Sequence, residues 1–271
     1  NVTVKNATVK PEGGRYSAAL VGRLHNGGVI ENCHVVNSSV EINHWQVGGI
    51  VGQNNNGNIY NCSVAGSTIT GKAAVGAIVG MDMKAGEHTI ENCRVANTAL
   101  VQNESFGASY DASYGLAVGL VNAKGIVLNV ENVVAENNTI KGVADNTLVG
   151  DIETGATVTI NGVSIATTAE QLAAAIKAGK NVILGADIAM TAATYQNVDV
   201  TIDGNGHTIS QAEGTTNEFA LFDSVTGKIT LKNVKFAGIK GGAVLRTIGA
   251  EATLDNVSIK EADGSLTPFK D

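Results

Sequence analysis

One short pattern, a small or aliphatic residue followed by Val and Gly, returns at near-regular intervals and limits what the chain can fold into. It occurs as Leu20-Val21-Gly22, Ile50-Val51-Gly52, Ile78-Val79-Gly80, Ala117-Val118-Gly119 and Leu148-Val149-Gly150, so that successive glycine numbers differ by 30, 28, 39 and 31. A second marker keeps the same register: Glu31-Asn32-Cys33, Tyr60-Asn61-Cys62, Glu91-Asn92-Cys93, Glu131-Asn132-Val133 and Ile160-Asn161-Gly162, whose asparagine numbers differ by 29, 31, 40 and 29. Asn6, in Val4-Lys5-Asn6-Ala7, stands where a preceding marker would fall. Each unit reads as three short β-like pieces, for example 49–52, 58–64 and 67–70, punctuated by Gly and Asn. Pieces this short cannot bury an apolar face alone, so neighbouring units must stack, one coil per repeat. The expected fold is all-β, a right-handed parallel β-helix (solenoid), with one short α-helix near 168–178. Equivalent residues of successive coils then superimpose about 4.8 Å apart.

Composition agrees. There are 33 Gly, 2 Pro and 4% aromatic residues, which suits short strands joined by tight turns. Hydrophobic residues make up 44%, which excludes a chain disordered for want of apolar content. A net charge of −7 without Lys/Arg clustering excludes nucleic acid as a partner. No apolar run approaches the roughly 20 residues of a membrane span, so no membrane insertion is expected of this chain. Asn1 to Lys10 already resemble the inside of a repeat, and flanking domains of a longer chain are expected.

The Leu/Ile-Val-Gly repeats, with the Asn-Cys-x-Val element after them, resemble the GLUG-motif repeats of bacterial surface proteins over roughly residues 15–165. The resemblance implies a secreted or cell-surface bacterial location and an accessory role in adhesin-like or peptidase chains. It implies architecture far more than activity.

After Ile165 the pattern changes, giving expected domains at 1–165 and 166–271. Thr168-Ala169-Glu170-Gln171 ahead of an Ala/Leu-rich stretch and Gly179 predicts a capped helix with a glycine stop. Period-two alternation then predicts strands at 181–184, 198–209, 228–234 and 252–259. This block resembles the start of pectate-lyase-like β-helices, in which a capping helix covers the first coil and shields its strand edge. The spacing from Asn233 to Asn256 fits a three-strand coil.

The residues offer little assembled chemistry. The in-register asparagines suggest an amide ladder, as in other cross-β stacks. Cys33, Cys62 and Cys93 share one repeat position; they lack the spacing of a metal site, and in-register side chains are aimed alike, so a column of free thiols acting as small apolar filling is expected. His34 should point outward into solvent. Asp203 and His207 flank Gly204-Asn205-Gly206, which reads as a turn before it reads as an acid/base pair. Neither catalytic residues, metal ligands nor cofactors are assigned.

The one long step, between Gly80 and Gly119, marks an insertion of about ten residues around 103–114, and insertions in repeat folds map to loops on one, often binding, face. The same corner two coils earlier holds His44 and Trp45. His44, Trp45, Phe106, Tyr110, Asp111 and Tyr114 are therefore the candidate ligand-binding residues, aromatic groups beside polar ones being what sugar or protein recognition uses. The expected function is a non-catalytic structural or adhesin module that presents loops to a glycan or host protein. The alternative is a carbohydrate-active fragment, a polysaccharide lyase or glycoside hydrolase.

Overall fold

The computed structural model describes residues 1–191, 193–215, 220–239, 243–247 and 251–260. Its strands are short, and among the described residues the one α-helix is Ala169–Lys177. The strands stack in mostly parallel sheets whose members come from successive coils, which is a parallel β-helix. The chain divides into two compact units, Asn1–Gly162 and Val163–Asp271.

In the first unit a coil carries five strands rather than the three pieces expected. One coil runs Trp45–Gly48, Val51–Asn55, Asn58–Tyr60, Ser63–Ala65 and Thr68–Gly71. The piece at 58–64 is divided because Asn61 takes a left-handed backbone, φ 53°, and turns the chain. The strand Trp45–Gly48 gives no period-two signal because three of its four residues are buried in sequence. Each strand pairs in parallel with its counterparts one coil away; Val64, for example, sits between Val35 and Val95. Val143–Ala144 departs from this rule: it folds back antiparallel on Thr139–Ile140, which itself pairs in parallel with Ala99–Leu100 one coil before.

This register stacks like on like inside the coil. Val35, Val64 and Val95 form one fully buried column, Val40, Ile69 and Leu100 a second, and Val51, Val79 and Val118 a third. Each such side chain contributes about 1.5–3 kcal/mol by leaving water. The Val-Gly repeat has a steric cause: a Cβ on Gly80 would lie 2.6 Å from both the Val47 nitrogen and the Gly52 carbonyl oxygen, so only glycine lets adjacent coils approach at this corner.

The asparagine series proves to be a backbone device more than an amide ladder. Asn32, Asn61, Asn92, Asn132 and Asn161 all have φ between 49° and 54°, a region that Asn enters more cheaply than other side chains. The Asn132 amide does reach Asn92 Oδ1 at 3.2 Å, but Asn61 and Asn92 turn theirs to Glu31 and Glu91. Cys33, Cys62 and Cys93, one residue on, are free and buried. They do more than fill space. Each thiol donates to the carbonyl two residues back, at 3.3, 3.0 and 3.3 Å, and the Cys62 and Cys93 sulfurs accept the amide of the cysteine one coil before. Ser38 and Ser67, behind the left-handed Asn37 and Gly66, repeat this arrangement with hydroxyls at the next corner.

The second unit has three strands per coil, for example Lys228–Lys232, Lys235–Ala237 and Ala243–Thr247. Thr168 Oγ1 accepts from Gln171 N at 3.3 Å, and Gln171 Oε1 accepts from Thr167 N at 2.8 Å, which satisfies amides the helix cannot. Gly179, φ 63°, ends it. Leu172 and Ile176 of the helix are fully buried in one core with Val182, Leu184 and Ile188.

Candidate functional site

The strand Trp45–Gly48 pairs with Ser17–Ala18 on one side and Ala73–Gly76 on the other, and Ala73–Gly76 pairs in turn with Tyr114–Gly115. The inserted segment that begins after Gln102 and rejoins the sheet at Tyr114 therefore leaves the coil stack two coils from Trp45. Gly107, φ 135°, and the 3-10 turn Ala108–Tyr110 fold it back toward that residue. Phe106 stacks on the Trp45 indole with centroids 5.3 Å apart and planes 11° from parallel. Tyr110 meets both rings edge-on, 5.9 Å from Trp45 and 5.7 Å from Phe106, and His44 lies 5.8 Å from Phe106. Beneath them Trp45 and Tyr110 pack on Ala74, Met81 and Leu120. Each aromatic contact adds about 0.5–1.5 kcal/mol beyond burial.

The corner is rich in donors. The Arg15 guanidinium sits 5.5 Å from the Trp45 ring centroid, a cation–π arrangement, and makes no ion pair among the described residues. Lys72 pairs with Glu104. His44 Nδ1 accepts the Trp45 backbone amide at 2.9 Å, which leaves the proton of the neutral ring on Nε2. Burial, then the cations Arg15 and Lys72, hold His44 below the usual histidine value. The Asp111 carboxylate accepts from Gln102 Nε2 and Ser105 Oγ, both at 3.0 Å, and these bonds hold it below the usual carboxylate range. Lys141 donates to the Asp111 carbonyl and lies 4.6 Å from the Tyr114 ring centroid.

Of the six residues singled out by sequence, His44, Trp45, Phe106 and Tyr110 thus form one cluster, and Asp111 braces the loop beside it. Tyr114 belongs to the floor. It is 2% exposed, its hydroxyl donates to the Gly71 and Lys72 carbonyls at 3.1 and 2.9 Å, and burial raises its pKa. Trp45 is itself partly covered by Phe106 and Arg15, so Phe106, 40% exposed, is the apolar surface the cluster offers to solvent. Arg15, Lys72 and Lys141 carry no motif of their own; only its place one repeat step before Trp45 marks Arg15.

Other candidates are differently placed. Asp203 accepts from the Asn205 amide at 3.0 Å and from Asn233 Nδ2 at 3.2 Å, a turn cap, while His207 faces Asp187 at 3.4 Å. Beside that turn Asn205, Asn233, Lys235, Asn256 and Ser258 line an open polar groove of about 320 Å³. Asp82 and His88, which the sequence did not mark, are 1% and 0% exposed and bonded at 2.7 Å. Burial raises the Asp82 pKa, against the lowering effect of His88. In the coil before, Asn54 holds the Gly57 amide and carbonyl at 2.9 and 3.0 Å, and Asp82 is its register partner. Asp82 bonds instead the side chain of His88, six residues on, where Asn54 holds turn backbone. His34 faces outward but is half-buried, its Nδ1 2.8 Å from Ser63 Oγ.

No helix among the described residues is long and apolar enough to cross a membrane. No curated protein and no solved structure matches the chain. Residues 43–70 match the GLUG motif, and the matched stretch is the coil that carries His44 and Trp45 into the corner and Asn61 and Cys62 into the turn series.

Proposed function

We propose that this chain is a non-catalytic module of a secreted or cell-surface bacterial protein, which uses a rigid β-helix to present the 103–113 loop and its aromatic corner to a glycan. The GLUG motif is a repeat module of extracellular bacterial proteins, which supports the location. One observation carries the binding role: the inserted loop is not loose decoration but is folded onto Trp45 from two coils away, with Phe106 held outward on a stacked base. A preorganised flat ring beside fixed donors lowers the ordering cost of binding. A protein interface needs about 1,000 Å² of well-packed surface, whereas this corner offers one exposed ring and a few donors, which suits a small, stiff ligand.

The test is a binding screen of the intact chain on immobilised oligosaccharides, with Phe106→Ala as the paired variant. Phe106 is exposed enough for the variant to fold. Saturable binding weakened at least tenfold in Phe106→Ala supports the reading. Binding that the variant retains in full places any ligand elsewhere and overturns it.

A further inference from the structure

We infer that the aromatic corner selects a sugar carrying an anionic group, a carboxylate or a sulfate, over its neutral counterpart. This rests on the glycan reading above and adds the chemistry of the ligand. The side chains around Phe106 supply donors in excess of acceptors. Arg15 is exposed, lies against the same indole that Phe106 covers, and has no carboxylate partner among the described residues. His44, its Nδ1 occupied by the Trp45 amide, has only the Nε2–H to offer a ligand. Lys72 stands close enough to His44 to disfavour a second positive charge there.

The carboxylates in reach are already committed. Glu104 is paired with Lys72, and Asp111 is tied to Gln102 and Ser105. Arg15 and Lys72 are the cations felt at His44, and with Lys72 paired to Glu104, Arg15 stays without an ion pair among the described residues on a chain whose net charge is −7. A guanidinium presents its donors in a fork that matches a carboxylate or sulfate edge. Anchored on the same indole that carries Phe106, it fits a pyranose whose apolar face lies on Phe106 while its acidic substituent reaches Arg15. This pairing of an apolar face with one oriented cation is what a neutral sugar would leave unsatisfied.

The experiment titrates the intact chain with a uronate oligosaccharide, a sulfated oligosaccharide, and the neutral backbone of each, at low and high salt. The expected result is at least tenfold tighter binding of one acidic form than of its neutral backbone, a preference that falls as salt rises and that Arg15→Gln removes. Which acid binds distinguishes carboxylate from sulfate. Arg15→Gln is a surface change, and an unchanged melting temperature verifies that the fold is intact. Equal binding of acidic and neutral forms, or a preference that survives in Arg15→Gln, overturns the inference while leaving the glycan reading standing. If no oligosaccharide binds while an acidic peptide does, the glycan reading itself fails, and this inference with it.

Discussion

The phenyl ring of Phe106 lies parallel to the indole of Trp45, at a centroid distance of 5.3 Å, although one belongs to an inserted loop and the other to a strand two coils away. The consequence is mechanical. A loop that would otherwise sample many shapes is fixed by a contact whose lower half is part of the coil stack, so the rigidity of the β-helix is passed to the surface it presents.

Trp45→Ala should therefore release the loop. Truncating a fully buried aromatic costs about 3–5 kcal/mol, and a half-buried one with stacked partners about 2–3 kcal/mol. Limited proteolysis with chymotrypsin should cut after Phe106 or Tyr110 several times faster in the variant. Equal protection in both chains would mean that the loop is held by something other than Trp45.

The asparagine turns separate two physical causes. If the left-handed backbone dominates at Asn61, Asn61→Ala should cost about 1–2 kcal/mol, while Asn61→Gly should cost only a few tenths, because glycine enters that region without penalty. Chemical denaturation of the two variants decides it. Equal losses would restore the amide ladder as the reason for the series.

Gly80→Ala should be among the most damaging single-methyl changes in the first unit. The added carbon would meet main-chain atoms of the neighbouring coil at 2.6 Å, and backbone cannot swing aside as a side chain can. Overpacking of this kind costs about 1–3 kcal/mol. A melting temperature unchanged from the parent would remove close coil approach as the cause of the Val-Gly repeat.

Asp82 sets a pH dependence with a definite sign. Its folded pKa is raised by burial, so over the window from the unfolded aspartate value, about 3.9, up to the raised folded value, the folded chain holds a proton the unfolded chain has lost. Its contribution is fully present below the unfolded value and is lost as pH rises through the folded one. Asp82→Asn puts into this coil the residue that Asn54 supplies in the coil before and removes the titration. Thermal melts across pH should show the parent losing stability relative to the variant as pH increases. A constant difference, or one of opposite slope, would contradict the account.

The repeat was legible because close coil approach and left-handed turns each demand one residue type at one spacing: Gly52 and Gly80, Asn61 and Asn92. The number of strands per coil was not. The turn at Asn61 divides what alternation alone reads as one piece, and Trp45–Gly48 is buried without alternation. The aromatic corner could be located from the interrupted step and the single Trp, but its charge could not, since Arg15 reaches Trp45 only through the register of two coils. Tyr114 shows the converse limit: an aromatic at an insertion boundary looks like surface in sequence and lies in the floor in the fold.

The most direct test of the central claim uses Trp45, the only tryptophan in the chain. Its emission should be recorded while the intact protein is titrated with uronate, sulfated and neutral oligosaccharides, in parallel with a calorimetric measurement of binding. The account predicts a saturable change in Trp45 emission with the same midpoint as the heat of binding. Heat of binding with no change in emission would place the ligand away from this corner and contradict it.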